Sequence, residues 1–175
     1  MAAKTSVFYL TERLTLSTAG TEVTDTIDLG AYVDIADRQG ILVHSVDFIF
    51  QGTTAEERIP IAMGASGSVT AQLTDLNRGS LVFADDRSLV SSGILNYIAN
   101  GGMDRTQDLY PDNFGPTSAQ GGRIVINDQM YVRANVTALD TSKSVNVTVR
   151  VKCSVINLSQ KDFMAIALQS TAADN

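Results

Sequence analysis

Val145, Val147, Val149, Val151, Cys153 and Val155 stand at every second position of one run, with Asn146, Thr148, Arg150, Lys152 and Ser154 between them. A period of two is incompatible with a helix, whose faces repeat at about 3.6, and β-branched valine favours extended backbone. The segment must be a strand with a buried face and a polar face, and such a strand needs neighbours. Residues 130–138 repeat the pattern, with Met130, Val132, Ala134 and Val136 set against Tyr131, Arg133, Asn135 and Thr137. The polar stretch 139–143 between the two runs reads as a hairpin connection. In residues 41–50, Leu42, His44, Val46, Phe48 and Phe50 share one parity while Ile41, Val43 and Ile49 share the other, so this segment is expected as a central strand.

Weaker strand signals lie at 7–16, 23–29, 59–63, 68–76, 81–84 and 123–126, which makes roughly eight or nine strands at the spacing of a sandwich or barrel. One stretch departs from the period of two. Leu89, Val90, Gly93, Ile94, Tyr97 and Ile98 recur at three and four residues after Asp85-Asp86 and before Gly101, which predicts a short inserted helix over about 86–99. Residues 100–122 contain five glycines and two of the three prolines and are expected as a long loop. Residues 1–169 are expected to form one β-sandwich domain, with 170–175 as a flexible tail.

The chain carries 13 Lys and Arg against 19 Asp and Glu, for a net charge of −6, and its cations are scattered rather than clustered. That balance argues against direct binding of nucleic acid. A 44% apolar share is enough for a core, and only 18% of residues are charged, so much of the surface is Ser, Thr, Asn and Gln. No run is long enough to span a membrane, and the first residues lack signal-peptide character, so synthesis and folding in the cytoplasm are expected.

Catalytic chemistry lacks its parts. The one His and the one Cys fall on separate strand segments, where His44 is expected as a packed strand residue and Cys153 as a small core hydrophobe. Asp85-Asp86 is better placed to cap a helix than to do acid/base work. Asp104, Asp108, Asp112 and Asn113 supply oxygens but not the spacing of a calcium loop, and Gly64-Ala-Ser-Gly67 lacks the Lys-Ser/Thr of a phosphate cradle. The triplets beginning at Asn135, Asn146 and Asn157 read as ordinary polar strand positions. No metal and no cofactor are expected.

The order of features resembles the single jelly-roll capsid proteins of tailless icosahedral viruses with an internal membrane, the group infecting halophilic archaea and Thermus. The resemblance rests on total length, on residues 68–75 followed by 81–90, on the helix between strands, and on the closing pair 130–138 and 144–157. It implies an all-β, single jelly-roll antiparallel sandwich of about eight strands. It also implies a virion location, pseudo-hexameric or pentameric capsomers, and partners that are copies of the chain, with a second capsid protein as a further candidate. The first twenty residues hold only Lys4 and Arg13, partly balanced by Glu12, so no basic arm faces a genome. A membrane layer or a separate basic protein is then expected to face the genome, as in that family, and any contact of this chain with an internal membrane is expected to be indirect.

The expected function is a structural capsid subunit, not an enzyme, assembling through sheet edges and loops. Met103, Leu109, Tyr110 and Phe114 are the candidate interface residues, being apolar anchors in a loop too rich in Gly and Pro to form a core. A carbohydrate- or ligand-binding sandwich is the alternative, weakened by the absence of Trp and an aromatic share of 6%. A cupin-type metalloenzyme would need more histidines than one.

Overall fold

The computed structural model describes residues 2–107 and 122–173. In chain order these form β1 (Ala2–Ala3), β2 (Phe8–Leu16), β3 (Val23–Asp28), β4 (Gln39–Gln51), α1 (Ile59–Met63), β5 (Gly67–Thr74), β6 (Leu89–Ile98), β7 (Gly102–Gln107), β8 (Arg123–Val125), β9 (Gln129–Val136), β10 (Val145–Asn157) and α2 (Gln160–Ala173). Their antiparallel pairing is nested: β2 with β10, β3 with β9, β4 with β8, and β5 with β6. A chain paired this way is one long ribbon. Rolling the ribbon brings β10 beside β4 and β9 beside β5, and the result is a jelly roll. One sheet reads β2-β10-β4-β8, with β1 extending the β2 edge along β10, and the other reads β3-β9-β5-β6-β7.

The valine face of β10 is the floor of the core. Val145, Val147, Val149, Val151, Cys153 and Val155 are all buried, together with Phe48 of β4 and Met130, Val132, Ala134 and Val136 of β9. Phe48 reaches across to β6, where a Cβ on Gly93 would sit 2.9 Å from its ring. Glycine there lets the two sheets approach.

Several local expectations are corrected. The segment expected as a helix over about 86–99 is strand β6, paired with β5 and β7. An irregularity opposite Leu73/Thr74 leaves Val90 outside the ladder and in the core, so the apolar spacing of three arises from a bulge rather than a helical turn. Residues 59–63, expected as a strand, form α1, started by Pro60 in its first turn and stopped by Gly64 at φ 69°. Residues 81–84 form no strand. Instead the Gln72 side chain takes the place of a strand neighbour, accepting from Val82 N–H at 2.8 Å and donating to its carbonyl at 2.7 Å.

The connection 139–143 is not a hairpin. β9 and β10 belong to different sheets and oppose their valine faces across the core, a relation that the same alternation permits as readily as side-by-side pairing. The expected loop over about 100–122 begins with β7, and its residues 108–121 lie outside the described residues.

Helix α2 takes in 170–173 of the segment expected as a tail. It starts at an N-cap in which Ser159 Oγ accepts from Asp162 N–H at 3.1 Å and donates to its carboxylate at 2.8 Å. Phe163 and Ile166 then cover Leu42, Ile124 and Ile156, forming a second apolar cluster on the outer face of the β4, β8 and β10 ends.

Candidate assembly surface

Open sheet edges are the natural place for one β protein to add to another, and here the edges are guarded. The β2–β10 register sets Glu12 opposite buried Val149, which puts its carboxylate on the core-facing side of an edge strand. Asp25 holds the same position on β3, opposite Val132. An added strand would bury these charges, so edge addition at β2 and β3 is disfavoured. The expected use of sheet edges is therefore opposed at β2 and β3 by these two carboxylates.

On the far side of the sandwich β8 pairs, among the described residues, with residues 41–43 of β4. Beyond that point β7 supplies side chains to the β4 backbone. Gln107 Nε2 donates to Val46 O at 3.1 Å, and Arg105 Nη2 donates to Phe48 O at 2.5 Å, its guanidinium lying 5.7 Å from the centre of the Phe50 ring. Asp47 gathers the donors around it: Arg150 at 3.0 Å, Gln107 at 3.2 Å and Arg105 at 3.3 Å.

Partial burial works against the Asp47 carboxylate, but hydrogen bonds from Arg150 and Gln107 and the charges of Arg150 and Arg105 hold it below its ordinary value of 3.8. With the folded value below the unfolded one, the stabilisation is present above about pH 4 and is lost as pH falls through the folded value. Asp47→Asn should therefore flatten the acid limb of the melting-temperature profile relative to wild type, which pH-dependent thermal melts will read.

At one end of the sandwich, residues 75–88 fold back over the β5 and β9 ends and are tied down by buried polar groups. Arg123 of β8 donates to Asp75 at 2.6 Å and to the Arg87 carbonyl at 2.7 Å, while Asn127 Nδ2 holds the Asp75 carbonyl at 2.6 Å. Burial raises the Asp75 carboxyl above its ordinary value, and the Arg123 guanidinium pulls against that. Asp86, expected to cap a helix, accepts instead from Ser88 N–H at 2.8 Å and Ser88 Oγ at 2.6 Å within this segment, and pairs with Arg78 at 3.4 Å. The segment presents Phe83 to solvent at 87% exposure.

The groups with chemical potential are placed structurally. His44 occupies a bulge in β4, between Val43 and Ser45, which are paired to consecutive β10 residues. The bulge removes it from the Val46 and Phe48 face expected for it and leaves it half-buried beside Ser154 Oγ at 2.9 Å. Desolvation, then Lys152, lowers its pKa. Burial pushes the Cys153 thiol up to about 12, far from thiolate character. Asp104 of the oxygen-rich set lies exposed on β7, while Asp108, Asp112 and Asn113 fall outside the described residues. Among the described residues no three His, Cys, Asp or Glu side chains lie grouped for a metal, and no helix is long and apolar enough to cross a membrane.

Of the expected interface residues, Met103 is half exposed on β7, and Leu109, Tyr110 and Phe114 lie outside the described residues. Among the described residues the most exposed apolar groups that sequence reasoning passed over are Phe83, Ile35, Leu168 and Tyr9, followed by Ile98, Ile61 and Met164. Tyr9 could have been found from its place on the outward parity with Thr11 and Arg13.

No protein-family model and no curated protein sequence matches the chain. Among solved structures, VP1 of Trichodysplasia spinulosa-associated polyomavirus in complex with GM1 oligosaccharide is similar over 90% of this chain and 97% of that chain, at 8% identity and a TM-score of 0.40. The same virus's VP1 in complex with sialylated precision glycooligomers covers 90% and 98%, at 9% identity and a TM-score of 0.39. Likeness of that degree assigns no function, and the jelly roll rests on this chain's own strand pairing.

Proposed function

We propose that the protein is a structural subunit of a viral capsid, assembling with copies of itself into a symmetric icosahedral shell. The observation that carries this reading is the contrast between the inside and the outside of the sandwich. The core is filled by its own side chains, with Phe48 against Gly93 and the valines of β10 facing β9. Outside, Phe83, Ile35, Leu168 and Tyr9 stand 87%, 72%, 67% and 64% exposed. Large apolar groups left in water gain by being covered, and their distribution over loops, a helix and a sheet face suits contacts with several neighbours rather than one ligand.

In this reading the chain resides in the virion after synthesis in the host cytoplasm, needs no cofactor and performs no catalysis. The jelly-roll capsid proteins of internal-membrane viruses are the group it fits, with a second capsid protein as a further partner and any membrane contact indirect. Sedimentation velocity across a wide concentration range tests the proposal: species larger than one chain are expected to grow with concentration, and a single-chain species throughout would contradict it.

Met103, Leu109, Tyr110 and Phe114 are proposed as one of the contacts. Tyr110→Ser with Phe114→Ser should weaken assembly while leaving the melting temperature of the isolated chain nearly unchanged, since interface aromatics are typically worth about 2 kcal/mol or more each. Unfolding of the isolated chain by this double change would remove these residues from the interface.

A further inference from the structure

We infer that copies of this chain bind one another head to tail, the cationic outer face of the β2–β10 ladder receiving the acidic β3–β4 corner of the next copy. This rests on the shell-subunit reading and names the contact.

The register puts Arg13, Arg150 and Lys152 on the outer face, where Arg13 lies opposite Thr148, Thr11 opposite Arg150, and Tyr9 opposite Lys152. Asp47, opposite Arg150 on β4, is already shared between Arg150 and Arg105. Among the described residues neither Arg13 nor Lys152 has an ion-pair partner. The face therefore carries surplus positive charge on a chain whose net charge is −6.

The complementary charge is concentrated elsewhere on the same molecule. From Leu14 to Asp37 the sequence holds five carboxylates and no Lys or Arg. Glu22 is taken by Arg133. Among the described residues Asp25, Asp28, Asp34 and Asp37 are exposed, accept from nearby amide groups and enter no ion pair, and Arg38 beside Asp37 is the one cation of the β3–β4 connection, so the corner keeps a net negative charge. Each patch also carries an uncovered apolar group, Ile35 at 72% exposure in the acidic corner and Tyr9 at 64% in the cationic face.

A second copy fits the cationic face better than a nucleic acid does, because the corner that would repel phosphate is the corner that complements the face. Two different patches that match each other make a heterologous contact, and such contacts close into rings when the rotation permits. Strand addition at β2 or β3 would compete for the same region, and Glu12 and Asp25 oppose it.

The test uses three full-length variants: R13E/K152E, D25K/D37K, and the chain carrying all four changes. Arg13, Asp25 and Asp37 are exposed and Lys152 is half-buried on the outer face, and melting temperatures confirm that each variant folds. Sedimentation velocity should show each charge reversal weakening association by about tenfold or more, with the four-fold swap restoring it and added salt weakening the wild type. The contact is overturned if either reversal associates as wild type does, or if the four-fold swap fails to recover. It is equally overturned if R13E/K152E loses binding to a DNA oligonucleotide while keeping self-association. A wild-type chain that never associates removes the shell reading and this contact together, whereas association indifferent to the reversals removes this contact alone.

Discussion

Val149→Asp is expected to yield no soluble folded protein. Val149 is fully buried at the centre of β10, paired with Glu12 on one side and Phe48 on the other, and no cation lies on the core side to receive a carboxylate among its ladder partners. Burying an unpaired charge costs several kcal/mol, against a total stability of about 5–15 kcal/mol for a typical domain. Thr148→Asp, one residue away on the outer face, is the control and should fold. Soluble yield and circular dichroism measure both, and a Val149→Asp protein that melts like wild type would mean the strand is inverted.

Removing either partner of the Arg123–Asp75 pair should destabilise the fold by about 3–5 kcal/mol, because each deletion strands a charge in a site built for two. The pair is buried, with side-chain exposures of 3% and 11%, and it anchors residues 75–88 through the Arg87 carbonyl. Asp75→Ala and Arg123→Ala should therefore shift the urea midpoint strongly downward. Asp75→Leu with Arg123→Met should recover much of the loss, since an apolar pair of similar volume leaves no charge unsatisfied. If the single changes behave like surface substitutions, residues 75–88 are held by the Gln72–Val82 bonds instead.

The parity of β10 was legible because six β-branched or small apolar residues at every second position admit one reading, and each of them is buried. Where a bulge intervenes, parity misleads. Val90 beside Gly93 imitates a helical repeat, and His44 shares sequence parity with Val46 and Phe48 yet faces outward. Ser159 as N-cap and Asp162 in the first turn announce α2, but the same Ser closes the Asn157-Leu-Ser159 triplet, and that reading hid the helix. Alternation establishes which side of a strand is apolar without establishing its neighbours, so β9 and β10 read as a hairpin although they oppose each other across the core.

The outer-surface site was legible in part for the same reason. Arg150 and Lys152 were visible on the polar face of β10, but their junction with Arg13 and Tyr9 depends on β2 returning from the other end of the chain to pair with β10. Glu12, legible only as a charge partly balancing Arg13, acquires its role as an edge guard from its register with Val149.

The most direct test of the shell-subunit account is electron microscopy of the purified full-length protein at high concentration. The account predicts rings or closed shells of uniform size with rotational symmetry, present in wild type and lost in the variants that reverse the contact charges. A field of separate particles, each the size of one chain at every concentration, would contradict it.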